Sequence, residues 1–275
     1  MRSLFSMEWR NIYRGFCMGV SDLIPGVSGG TIAVVLGIYE RLLAAISGFF
    51  SREWKKHLGF LIPLAAGVAV ALLTLSHVIK YLLEYHYEPT QFFFLGLILS
   101  ILPMLMKEAN AKETFKAGHI VILIVAAALV AVTAFFKPDK AADPITTLTI
   151  LNTIGLFLAG WMASMAMLLP GISGSFILLI IGVYPTAINA LTTLNLPLIA
   201  VIGAGVMVGF VVSSKGISYL LAHFKSATFA AIIGLVIGSI AVVFPGIPAG
   251  GMSIVSSIIT FILGFAIVSY FSKKK

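Results

Sequence analysis

The sequence predicts an all-α polytopic membrane protein with an inverted-topology repeat, each half a re-entrant helical hairpin followed by three transmembrane helices. Three observations carry that expectation. Of the 275 residues, 60% are hydrophobic and only 10% are charged, against roughly 25% charged in an average soluble domain. The apolar residues run in long unbroken segments, not in the short alternating ones of a transmembrane barrel. A Pro-Gly-x-Ser-Gly segment occurs twice, at Pro25 and at Pro170.

The apolar segments are Gly15–Ile24, Thr31–Phe50, Leu58–Leu83, Phe92–Met106, Gly118–Phe136, Leu148–Leu169, Ser175–Leu191, Leu198–Leu221, Thr228–Phe244 and Ile254–Phe271. A spanning helix needs about 20 residues. Gly15–Ile24 is too short to span, and Phe92–Met106 must tilt or borrow flanking residues. The basic segment 1–14, with Trp9 and Tyr13, reads as a cytoplasmic interfacial helix and not as a signal peptide.

The repeat has two blocks. Ile24-Pro-Gly-Val-Ser-Gly-Gly30 returns as Leu169-Pro-Gly-Ile-Ser-Gly-Ser175, and Gly37-Ile-Tyr39 as Gly182-Val-Tyr184, both displaced by 145 residues. Gly67-Val-Ala-Val70 pairs with Gly205-Val-Met-Val208, and Gly96-Leu-Ile98 with Gly234-Leu-Val236, displaced by 138. The halves are thus 15–137 and 145–271, joined in a single integrated membrane domain. Each motif pair contributes an even number of crossings and the three following spans an odd number. The second half therefore enters from the opposite side, as in the inverted repeats of secondary transporters.

Charge gives a separate test. With the N-terminus inside and both motif pairs re-entrant, Arg2, Arg10, Arg14, Arg52, Lys55, Lys56, Lys107, Lys112, Lys116, Lys225 and Lys273 to Lys275 fall in the cytoplasm. The outer segments hold Glu84 and Glu88, Lys137 and Lys140 offset by Asp139 and Asp143, and two uncharged loops. That bias places both termini on the cytoplasmic side of the membrane. The same rule accounts for the net charge of +8, which therefore needs no nucleic-acid partner. Cys17 is the single cysteine, so no internal disulfide or multi-thiolate metal site forms, and no cofactor or metal is expected.

The motifs carry the candidate site. Pro25, Gly26, Pro170 and Gly171 break their helices, which a bilayer tolerates only where protein or a wet cavity satisfies the backbone. The helices that follow start near Gly30 and Ser175 and present N–H groups to an anion. Ser28, Gly29, Gly30 and Thr31, with Ser173, Gly174 and Ser175, are the expected substrate-binding residues. The competing reading is a kinked helix packed through glycine. Asp22, Glu40 and Arg41 are the ionisable groups in these segments, and such groups at depth are functional candidates by default. Arg41 is expected to join the anion site, against the reading of an interfacial anchor paired with Glu40. Asp22 and Glu40 are coupling or gating candidates, against Glu40 held by Arg41 and Asp22 capping the turn before Pro25. His77, Lys80 and Lys215 read as interface anchors.

Ser21-Asp-Leu-Ile-Pro-Gly-Val-Ser-Gly-Gly-Thr31 with Gly37-Ile-Tyr-Glu-Arg41, and Leu168-Leu-Pro-Gly-Ile-Ser-Gly-Ser175 with Gly182-Val-Tyr184, carry a resemblance over nearly the whole chain. The chain resembles the PopT family of bacterial polyprenyl-phosphate transporters. The resemblance implies undecaprenyl phosphate as substrate, returned from the outer to the inner leaflet for reuse in cell-envelope synthesis, with membrane lipids around it. A side-opening groove would leave the polyprenyl tail in lipid. The alternatives are a small-anion transporter or channel built on paired helix N-termini, a lipid-phosphate enzyme, and a scaffold. No HExxH, phosphate-loop lysine or GxSxG motif supports an enzyme. The residues leave the coupling ion and a homo-oligomeric state open.

Overall fold

The computed structural model describes residues 7–22, 28–49, 51, 54–135, 144–248 and 250–273. Among these residues the chain is helical, with no strand. The helices are α1 (Arg10–Asp22), α2 (Gly29–Val35), α3 (Tyr39–Gly48), α4 (Trp54–Tyr85), α5 (Tyr87–Glu108), α6 (Ala111–Thr114), α7 (Ala117–Thr133), α8 (Ile150–Leu168), α9 (Gly174–Ile181), α10 (Tyr184–Thr192), α11 (Leu196–His223), α12 (Lys225–Val243) and α13 (Gly251–Lys273).

Six of them are long and apolar enough to cross a membrane: α4, α5, α8, α11, α12 and α13. The sequence reading placed α7 among the spans and α8 in a hairpin. By length both could span, with α7 at 17 residues and α8 at 19, against a range of about 17–25 for a crossing. The N-terminal boundary also moves. α1 runs from Arg10 to Asp22 without a break at residue 14, because nothing between them interrupts a helix and Gly15 packs directly on α4.

The GxY segments have a structural cause. Gly37 lies at φ 65 and Gly182 at φ 80, so each splits an apolar run into two short helices, α2 from α3 and α9 from α10. A left-handed turn of this kind favours glycine, which has no Cβ to clash. The sequence reading treated each run as one helix.

Packing repeats with the sequence. α1 lies on α4, and α8 lies on α11. A Cβ added to Gly15 would stand 1.9 Å from the Leu64 carbonyl oxygen, and one added to Gly160 would stand 2.4 Å from that of Ile202. A Cβ added to Gly67 would stand 2.0 Å from the Ile12 carbonyl oxygen, and one added to Gly205 would stand 2.0 Å from that of Phe157. The contacts map onto one another by the two sequence offsets, 15 to 160 and 12 to 157 by 145, and 64 to 202 and 67 to 205 by 138. The other close pairs run between halves. A Cβ added to Gly96 of α5 would stand 2.2 Å from the Phe261 carbonyl oxygen of α13, and one added to Gly234 of α12 would stand 2.3 Å from that of Leu123 of α7, again 138 residues apart. Backbones this close are the usual contact of membrane helices, where small residues replace the hydrophobic effect as the means of association.

Direction follows from the same contacts. The Glu8 N–H donates to the Gly59 carbonyl at 3.0 Å, Asn11 Nδ2 to the Phe60 carbonyl at 3.3 Å, and Gly19 faces Val68. α1 therefore runs alongside the first half of α4 in the same direction. The far end of α3 comes back to that end of α4, where Gly48 abuts the His57 ring.

Candidate functional site

The two motif copies touch. Ser28 Oγ donates to the Leu169 carbonyl at 3.3 Å, and the Gly171 N–H donates to Thr31 Oγ1 at 2.8 Å. A Cβ on Gly30 would lie 3.0 Å from both the Met167 and Leu168 carbonyl oxygens. The hydroxyls of the first copy therefore satisfy the broken backbone of the second, which water cannot reach in a bilayer. Every residue of α2 is buried, and so are Ser28 and Ser173.

The copies close their helix starts differently. In the first, Ser28 caps α2 and its Oγ accepts the Thr31 N–H at 3.3 Å. Asp22 Oδ1 accepts the Gly29 N–H at 2.7 Å. Asp22 thus reaches across the break to the next helix; the turn before Pro25 lies outside the described residues. In the second copy, Ser173 makes no cap hydrogen bond. Its Oγ lies 2.8 Å from Ser175 Oγ, and Ser175 is exposed. The positions matching Asp22 and Thr31 hold Met167 and Phe176. Gly171, at φ 91, packs on the Leu235 carbonyl. Pro170 is buried beside it. Pro25 and Gly26 lie outside the described residues, as do the side chains of His77 and Lys80.

Arg41 is not brought to the motif tips. Its side chain is 57% exposed, pairs with Glu8 and stacks 4.9 Å above the Phe60 ring. The sequence alone suggests a buried charge beside the anion motif, with an interfacial anchor as the competing reading. α3 carries it away from Gly29 and towards the start of α4, a consequence of the Gly37 turn. Glu40 is exposed and lines a separate small cavity with Val34, Gly37, Tyr39, Leu105 and Glu108. Among the described residues, no group of three or more His, Cys, Asp or Glu side chains is placed to hold a metal.

The sequence reading passed over Asn11 and Arg14. Asn11 is fully buried and donates to the Phe60 carbonyl, and Arg14 Nη1 donates to Asn11 Oδ1 at 2.8 Å. The available signal was a polar side chain on the packed face of a glycine-bearing helix whose counterpart, Leu156, is apolar.

The family described as VCA0040-like, undecaprenyl phosphate translocase-like, matches residues 18–257. The chain belongs to this family. A Staphylococcus aureus (strain NCTC 8325 / PS 47) protein named polyprenyl-phosphate transporter is 48% identical over 267 residues, 94% of each chain. A Vibrio cholerae serotype O1 protein (strain ATCC 39315 / El Tor Inaba N16961) of the same name is 33% identical over 254 residues, 87% of this chain and 79% of its own. No solved structure matches the chain. The match of the translocase-like family spans both motif copies and five of the six helices of spanning length, and it ends in the second turn of α13.

Proposed function

We propose that this protein moves a polyprenyl monophosphate across the bacterial inner membrane, returning it from the outer to the inner leaflet. The observation that carries the reading is the 48% identity, over 94% of both chains, to a protein named polyprenyl-phosphate transporter. The site supports it physically. A lipid monophosphate needs polar groups for its head at a depth where its tail stays in lipid. The two motif copies provide serine hydroxyls and helix starts, and they meet in the interior of the bundle.

The two halves work as an inverted repeat of re-entrant hairpins. Support comes from α1 lying beside only the first half of α4, and from α3 returning to the same end. The charge bias supports termini in the cytoplasm. The second copy is the open one. Ser173 and Ser175 bond to each other and leave the start of α9 without a side-chain cap. The first copy is closed by Asp22. Its carboxyl sits where an anion would sit, so phosphate reaches the Gly29 N–H only after Asp22 moves or takes up a proton. That exchange is the coupling step.

The test is a leaflet-access assay. Proteoliposomes carry a short polyprenyl monophosphate in both leaflets, and a soluble phosphatase is added outside. With the protein present, hydrolysis runs to near completion. A plateau at the outer-leaflet share, equal to that of empty liposomes, overturns the reading.

A further inference from the structure

A polar network occupies the end of the first half where α1, α3 and α4 come together. Arg41 pairs with one Glu8 carboxylate oxygen. The other Glu8 oxygen accepts from Asn11 Nδ2 at 3.4 Å, and Asn11 Oδ1 accepts from Arg14 Nη1 at 2.8 Å. Arg14 Nε is buried and finds no hydrogen-bond partner among the described residues. A buried donor left unmade is costly, and it marks a place where an acceptor belongs.

The second half supplies an internal control. By the two offsets, Glu8, Asn11, Arg14, Arg41 and Phe60 correspond to Thr153, Leu156, Ala159, Thr186 and Leu198. Leu156, Ala159 and Leu198 are the centre of an apolar cluster, each 1–2% exposed. The same helix junction therefore packs without any charge. The arginines are also poorly placed for the helix itself. Arg10 and Arg14 stand in its first two turns, where the helix dipole favours anions. Packing does not call for this network, and helix stability opposes part of it.

We infer that Arg14, Arg41 and Asn11 form a docking site for a phosphomonoester head at the cytoplasmic end of the first hairpin, closed in this conformation by the Glu8 carboxylate. The inference rests on the proposed function and deepens it, adding a station on one face of the membrane that the other face lacks. Glu8 is a weak latch, because its ion pair with the exposed Arg41 is solvent-screened. A phosphate dianion accepts from two guanidinium forks at once, which a single carboxylate on a short segment cannot match. Its arrival displaces Glu8 and frees the segment held by the Glu8–Gly59 backbone bond. A head group arriving from the motif tips is thereby drawn to one face only.

The experiment measures binding of geranylgeranyl monophosphate to the full-length protein in nanodiscs, with inorganic phosphate and sulfate as separate arms. Arg14→Ala and Arg41→Thr install the second half's residues and are expected to weaken binding about tenfold or more, the scale of a lost charge-assisted hydrogen bond. Glu8→Gln is expected to tighten it a few-fold. In a protein with Trp54 and Trp161 changed to Phe, ligand shifts Trp9 emission, and Arg14→Ala abolishes the shift. If Arg14→Ala lowers the melting temperature, Arg14→Lys decides, since it keeps the charge and loses the fork. Parent-like binding by Arg14→Lys and Arg41→Thr overturns the site and leaves the transport reading intact. Equal binding of sulfate and phosphate also overturns it, as a plain basic patch. Tight binding of inorganic phosphate alone supports the site with free phosphate as its source. A parent that binds neither lipid phosphate nor inorganic phosphate overturns both readings.

Discussion

The first and second Pro-Gly-x-Ser-Gly segments have nearly the same sequence and end in different chemistry. The first is closed: Ser28 and Asp22 take N–H groups at the start of α2, and Thr31 reaches over to hold Gly171. The second is open: Ser173 turns to Ser175, and no side-chain oxygen caps α9. Both copies break the helix equally well, because that requires only proline, glycine and close backbone packing. The groups that would meet an anion are set by residues outside the shared motif. Met167 replaces Asp22, and Phe176 replaces Thr31. A repeat thus supplies a scaffold twice, while the differences between its copies say where binding and control reside.

The largest expected effect probes the part the copies share. Gly15→Val and Gly160→Val each push a side chain into a carbonyl oxygen 1.9 or 2.4 Å from the added Cβ. Overpacking of this kind costs about 1–3 kcal/mol and sometimes more. Both variants should lose monodisperse protein in detergent, Gly15→Val the more severely. A well-behaved Gly160→Val beside a failed Gly15→Val would mean that the halves do not pack alike.

Next come the groups that only the first copy has. Asp22→Ala leaves the Gly29 N–H without its acceptor, and Thr31→Val does the same to Gly171. Each is expected to destabilise by about 1–3 kcal/mol, read as a lower melting temperature. Asp22→Asn keeps an acceptor oxygen and should melt near the parent. The same variant sharpens the coupling proposal. Transport by the parent should respond to an imposed pH gradient, and transport by Asp22→Asn should not. A parent indifferent to the gradient removes Asp22 from coupling.

The smallest effect separates the two serines. Ser28→Ala removes an N-cap and should cost about 1 kcal/mol. Ser173→Ala removes no cap, so its melting temperature should stay within error while its leaflet-access rate falls. Equal loss of stability in both would erase the distinction between a closed and an open copy.

Much of this was legible beforehand, for identifiable reasons. Composition alone requires helices in lipid, since no soluble fold of this length hides so much apolar surface. The 138 offset paired Gly67 with Gly205 and Gly96 with Gly234 in advance, and a repeated sequence packs through repeated contacts; which carbonyls those glycines face came only with the structure. The motif also announced that new helices begin near Gly30 and Ser175, and α2 and α9 begin at Gly29 and Gly174. The depth of Arg41 was not legible. It depends on where Gly37 turns the chain, and a rise of about 1.5 Å per residue gives distance along a helix without direction.

The sequence by itself determined the membrane class, the doubling of the chain and the start of a new helix at each Pro-Gly-x-Ser-Gly copy, all of which are local or periodic properties; the turns at Gly37 and Gly182 were not among them. Only the tertiary structure decided that the first motif's hydroxyls hold the second motif's backbone, 140 residues away in the Thr31–Gly171 bond. It alone joined Glu8 to Arg41 across 33 residues and placed buried Asn11 between Glu8 and Arg14. The physical reason is that a polar side chain in an apolar bundle takes whichever partner the packing brings within hydrogen-bond reach. That partner is a property of how the helices are arranged in space, and the order of residues does not contain it in readable form.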